Sequence, residues 1–176
     1  MTLDMLPKSE RVLKETEGDD AMFNMQVHLK KLGYKDQYSR NMLQINNSGD
    51  YFQETALFNK VADTDWSWAP LIADFDNDGF NDLFVTNGIA HDLSNQDFRN
   101  QMKTNIRNRK KVSLDEAINM MPSTKLSNYI FQNNKDLTFK NTSQNWGFDK
   151  KINTDDYKTH LKNNTILNVM HHETVQ

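Results

Sequence analysis

Four aspartates at alternate positions of a short loop with apolar flanks restrict this chain more than any other feature. In Trp66–Gly88 (WSWAPLIADFDNDGFNDLFVTNG), Asp74, Asp76, Asp78 and Asp82 take positions 1, 3, 5 and 9 of D-x-D-x-D-G-x-x-D, and Gly79 takes position 6. Ala69 to Ala73 and Leu83 to Thr86 are apolar, too short for helices, and bounded by Gly, Pro, Asn or Asp, which predicts strand, loop, strand. Side chains at alternate positions of a curled loop converge on one point, and a glycine permits the turn that a Cβ would obstruct. Two carboxylates about 5 Å apart repel by roughly 3 kcal/mol at an effective dielectric of 20, so four together would spring the loop open without a cation. Hard oxygen ligands with flexible geometry suit Ca²⁺, and the chain has no Cys to offer a softer site. The expected ligands are the carboxylates of Asp74, Asp76, Asp78 and Asp82 and the backbone carbonyl of Phe80.

Two other readings share part of this pattern. An EF-hand needs a bidentate Glu at position 12, where Val85 stands, and a helix on each side, where strand formers stand. A metal-free Asp/Asn-rich hairpin turn is the plainer alternative, because these residues favour turns in any case. The phrase ADFDNDGFNDLFVTNG resembles a repeat of the FG-GAP/VCBS type, the calcium-loop repeat of integrin-like β-propellers, as found in tandem in large exported bacterial proteins. The match covers residues 41–90, with a weaker echo at 125–150. The resemblance implies a loop joining the first two strands of a propeller blade, with the four aspartates on Ca²⁺. It also implies an extracellular or cell-envelope setting and a scaffold for adhesion or carbohydrate-related binding. The partners would then be a protein or glycan ligand and neighbouring blades.

The rest of the chain divides around this loop. Residues 1–40 are expected to hold the end of a preceding blade (Leu3 to Pro7) and a helical insert. There Met22, Met25, Leu29 and Leu32 form one apolar stripe closed by Gly33. Residues 41–62 read as two strands about Asn46-Asn47-Ser48-Gly49, a hairpin sequence. Trp66 and Trp68, two apart, would share one face of a strand and pack in the core. Residues 91–124 interrupt the strand pattern with two helices, the second opened by a capping box of Ser113 and Glu116. The basic run Arg107, Arg109, Lys110 and Lys111 lacks interleaved aromatics and reads as a solvated helix face.

Residues 125–150 return to strand, turn, strand. At an offset of 87 residues they match 41–61 without gaps, with Asn41 over Asn128, Phe52 over Phe139 and Thr55 over Thr142. Such a period signals a repeat architecture. The atypical tail, 151–176, lacks the further loop that this phasing calls for. The expectation is therefore a mainly β chain with helical insertions, one to two propeller-type blades of an incomplete propeller, cut or altered at both ends. In the tail, His171, His172 and Glu173 do not read as a metal cluster, because adjacent side chains point apart. Asn46, Asn141 and Asn163 begin N-x-S/T sequons, which matter only in a eukaryotic secretory setting.

Composition narrows function by exclusion. A net charge of −3 and a pI near 5.9 argue against a general nucleic-acid binder. No run of 18 apolar residues exists, so no membrane span is expected. The start, MTLDMLPKSER, lacks a signal peptide's order, which alone would place the chain in the cytoplasm. With the resemblance, it instead suggests that the start of a longer exported protein is missing. A mean hydropathy of −0.83 leaves little core per residue. An enzyme would have to use the carboxylates, since there is no G-x-S-x-G, Cys nucleophile, phosphate loop or H-E-x-x-H. Four equivalent acids in one loop suit ligation better than the divided roles of a glycosidase pair. A calcium-binding segment is thus expected over a metal-independent interaction domain, and a carboxylate-dependent hydrolase ranks third.

Overall fold

The computed structural model describes residues 1–16, 27–36 and 38–151. Met22, Met25, Asn163 and the histidines at 171 and 172 lie outside them. Strands β1 (Gln44–Asn47) and β2 (Tyr51–Glu54) form a two-stranded antiparallel sheet. Strands β3 (Ser67–Ala73), β4 (Asp82–Asn87), β5 (Tyr129–Asn133) and β6 (Phe139–Asn141) form a second sheet in that spatial order, every pair antiparallel. Three helices, α1 (Glu10–Thr16), α2 (Gln96–Arg107) and α3 (Leu114–Met120), complete the elements. The architecture is two open antiparallel sheets with helical segments, and neither sheet closes on itself among the described residues.

Local chemistry explains the helix ends. Ser113 accepts from Glu116 N–H at 3.2 Å while the Glu116 carboxylate accepts from Ser113 N–H at 2.9 Å, which satisfies two orphan donors of α3 reciprocally. The Ser113 N–H also holds the Glu116 carboxyl below its usual range. Gly33, at φ +88°, closes the helical turn at 27–31. Its N–H reaches Lys30 O at 3.0 Å and that of Tyr34 reaches Leu29 O at 3.1 Å, the paired bonds of a Schellman end. The helix α1 has no apolar period to announce it. It carries Glu10–Lys14 and Arg11–Glu15 ion pairs one turn apart, and Gln96 Nε2 ties its last turn to α2 at Thr16 O. Of the basic run, Arg107 ends α2, and 109–111 continue past it as exposed chain rather than on a helix face.

The main core lies between the four-stranded sheet and the chain that flanks the first hairpin, whose own strands β1 and β2 are largely exposed. Leu43, Ala56, Val61 and Ala62 from the first hairpin segment pack on Leu83, Val85 and Phe131 of the four-stranded sheet. Met1, Leu3, Tyr129 and Phe139 close the edges of this cluster. On the other side of the same sheet Ile130 is buried, and the Phe84 ring meets Phe148 at 5.2 Å and Phe75 at 6.2 Å. The two tryptophans separate. Trp66 is 3% exposed and packs inside, whereas Trp68 is 64% exposed, its indole N–H donating to Gly88 O. The pairing of β3 with β4 slips between Ser67 and Pro70, so the simple two-residue alternation expected for the pair does not hold there.

One bonding pattern occurs twice. The pairs Gln44↔Glu54, Ile45↔Gln53 and Asn46↔Phe52 correspond, 87 residues on, to Phe131↔Asn141, Gln132↔Lys140 and Asn133↔Phe139. Beyond the hairpin, Thr55 N–H to Leu43 O and Val61 N–H to Ala56 O correspond to Thr142 N–H to Ile130 O and Phe148 N–H to Ser143 O. Preceding backbone is held alike: Asp4 N–H donates to Asn41 Oδ1 at 3.0 Å and Asn87 N–H to Asn128 Oδ1 at 2.8 Å. The bridge Thr2↔Met42 likewise answers to Val85↔Tyr129. Asn41 is fully buried, and its amide also donates to Val61 O and Thr64 Oγ1. These two asparagines fix where each hairpin leaves the preceding strand.

A titratable contact ties β5 to the segment that follows the first hairpin. Tyr129 donates to Asp65 Oδ2 at 2.9 Å, and burial first, then the Asp65 charge, pushes the phenol up from its ordinary value. A raised folded pKa means that the unfolded chain releases the proton first. The associated stability is complete below about pH 10 and falls as pH rises above it. Tyr129→Phe should cost about 1.5–3 kcal/mol at neutral pH, the range of a lost hydrogen bond to a charged group. The variant should also lose part of the wild-type decline in urea midpoint above pH 10.

Candidate metal centre

The loop between β3 and β4 curls around Asp74. Its Oδ1 accepts from Asp78 N–H at 3.0 Å and its Oδ2 from Gly79 N–H at 2.8 Å. The turn is made by two residues with left-handed backbone, Asn77 at φ +57° and Gly79 at φ +88°. Nothing lies within 4 Å of where a Gly79 Cβ would stand, so glycine serves conformation there and not close packing. With the backbone bent this way, Asp74, Asp76 and Asp78 each bring a carboxylate oxygen within 4.8 Å of the others at the surface.

Asp82 is placed differently from the other three. It is fully buried at the start of β4, and its two oxygens accept from Phe75 N–H at 3.1 Å and Asn133 N–H at 2.8 Å. It therefore fastens the beginning of the loop to the end of β5. Asn133 returns the contact by donating its amide to Asn81 O at 2.9 Å. Three of the four expected carboxylates converge, and the fourth holds the frame in which they do so. The Phe80 N–H donates to Asp78 Oδ1 at 2.9 Å, while its ring lies 5.2 Å from Lys135 Nζ.

Two further residues reach the loop, and the sequence offered no signal for either. Gln132 Nε2 donates to Asp76 Oδ2 at 2.6 Å, and Lys135 Nζ pairs with Asp78 Oδ2 at 3.1 Å. Both come from β5 and the turn after it, more than 50 residues along the chain, and are brought there by the β4–β5 pairing. The Phe80 N–H, and after it Lys135, hold the Asp78 carboxyl below its usual range. An exposed pair of this kind is screened and weak. Three carboxylates against one ammonium leave two negative charges uncompensated, the charge of a divalent cation. The donors are all hard oxygens on an open, hydrated surface, as Ca²⁺ accepts and as Zn²⁺ with its nitrogen and sulfur preference does not require.

No family model, no curated protein and no solved structure matches the chain.

Proposed function

We propose that this chain is a calcium-binding repeat segment of the FG-GAP/VCBS type in a secreted or cell-surface protein. Its role is that of a non-enzymatic scaffold for adhesion or ligand binding. Its partners are a protein or glycan ligand and neighbouring blades of the same kind. The observation that carries this reading is the convergence of Asp74, Asp76 and Asp78 around a left-handed Gly79 between two antiparallel strands. The Phe80 carbonyl and water would complete the coordination, with Asp82 anchoring the loop. The doubled hydrogen-bond pattern at an offset of 87 residues supports a repeat. So does the up-and-down order of β3 to β6, which is that of a propeller blade. Packing of the first hairpin's Leu43, Ala56 and Val61 on the next sheet supplies the contact through which blades would adjoin.

Calorimetric titration with Ca²⁺ tests the reading. A dissociation constant of about 10⁻⁴–10⁻³ M is expected, as in extracellular modules. At 100-fold excess over that constant the folded state should gain about 2.7 kcal/mol. Asp76→Ala should abolish both the heat and the gain.

A second reading has its own support in Lys135 and Gln132, which already engage Asp78 and Asp76. On that reading the aspartates are a turn and Lys135 is their cation. Lys135→Gln separates the two: it should tighten Ca²⁺ binding if the lysine competes with the ion. If the lysine replaces the ion, the variant should only destabilise the chain. Equal melting temperatures in EDTA and in millimolar Ca²⁺, with no heat, would return the loop to the metal-free turn.

A further inference from the structure

A groove of about 390 Å³ runs along the seam where the first hairpin segment meets β5 and β6. Its volume falls among those of small-ligand sites. Three lysines border it: Lys8 and Lys60 from one side and Lys140 from the other. None of their ammonium groups is within 4 Å of a carboxylate among the described residues, although the backbone N–H of Lys8 donates to Asp65 Oδ1 at 2.9 Å and the chain as a whole is acidic. Lys60 has a left-handed backbone at φ +56°, and Lys8 Nζ lies 5.0 Å from the Tyr129 ring centroid. The groove also has an apolar surface in Phe131 and the half-buried Phe139. On its wall stands Asn59, 3% exposed, whose Nδ2 donates to Thr55 Oγ1 while Oδ1 has no hydrogen-bond partner.

Each feature selects part of a ligand. Three unpaired ammonium groups around one groove call for more than one negative charge, and lysine suits dispersed point charges better than a single bidentate anion. A half-buried phenyl ring offers an apolar surface to the C–H face of a ring. A bare sulfate or phosphate supplies the charge but no ring face for Phe139. We propose that this groove binds an acidic oligosaccharide, with carboxylate or sulfate groups on Lys8, Lys60 and Lys140 and a sugar face against Phe139. The site is separate from the aspartate loop and does not depend on calcium.

The test is a heteronuclear NMR titration of the full chain with tri-galacturonate at low salt in calcium-free buffer, followed at the side-chain amides of Asn59 and Asn141. Saturable shifts are expected, with none from the neutral tri-galactose. Lys60→Asn, chosen because asparagine tolerates the left-handed backbone, and Lys140→Gln should each raise Kd at least tenfold without changing the melting temperature. Raising salt to 0.5 M should weaken wild-type binding comparably, a reading that stands even if a variant folds poorly. Absence of shifts, equal binding of the neutral sugar, or equal affinity for inorganic sulfate or a poly-glutamate peptide would each overturn the proposal. Shifts confined to the 74–82 loop would overturn it as well.

Discussion

Phe131→Ala should lower the stability of the chain by about 3–5 kcal/mol, the range for removing a fully buried phenyl ring. Phe131 is 1% exposed, lies opposite Leu83 in β4 and Asn141 in β6, and stacks on Tyr129 at 5.9 Å between centroids. It also belongs to the cluster formed with Leu43, Ala56, Val61 and Ala62, which flank the first hairpin, so its loss opens a cavity on that seam. Domains of this size are stable by only about 5–15 kcal/mol, so one ring is a large share. Phe139→Ala, at the half-buried margin of the same cluster, should cost clearly less. Urea midpoints of the two variants measure the difference. A loss below 1 kcal/mol for Phe131→Ala would mean that the first hairpin segment does not pack on the four-stranded sheet as described.

Asp82→Ala should be nearly as damaging, by about 3–5 kcal/mol. The substitution leaves the Phe75 and Asn133 N–H groups without their carboxylate, and bonds to a charged acceptor contribute about 1.5–3 kcal/mol each. It should also remove the response to Ca²⁺ without removing a member of the converging triad, because the loop loses its fastening to β5. Asp82→Asn keeps the shape but presents an amide N–H₂ to one of two N–H donors, so it should restore only part of the stability. Melting temperatures in EDTA and in Ca²⁺ separate the two effects. A variant as stable as wild type in EDTA and still responsive to Ca²⁺ would contradict the anchoring role.

Much of the local structure was legible in the residues. The hairpin about Ser48-Gly49, the capping box of Ser113 and Glu116 and the Gly33 helix end all rest on contacts within a few positions, which sequence spacing reports directly. The convergence of Asp74, Asp76 and Asp78 was legible for the same reason, as one curled loop brings them together. The offset of 87 residues was also visible, and the structure gives it a register. Helix α1 was not visible, because charged pairs and a contact with α2 hold it rather than an apolar stripe. Trp68 was taken for core by its spacing from Trp66, but the slip in pairing between Ser67 and Pro70 leaves it outside.

By itself, then, the sequence determined the turn chemistry, the capping box of α3 and a loop in which four acids were expected to meet, since each depends on backbone preference over a handful of residues. Tertiary structure alone decided that Asp82 anchors rather than converges, that Gln132 and Lys135 reach the loop, and that three lysines border one groove. Those outcomes depend on the pairing of β4 with β5 and on the packing of the chain around the first hairpin against the four-stranded sheet. They join residues more than 50 positions apart, a distance over which chain connectivity no longer dictates proximity.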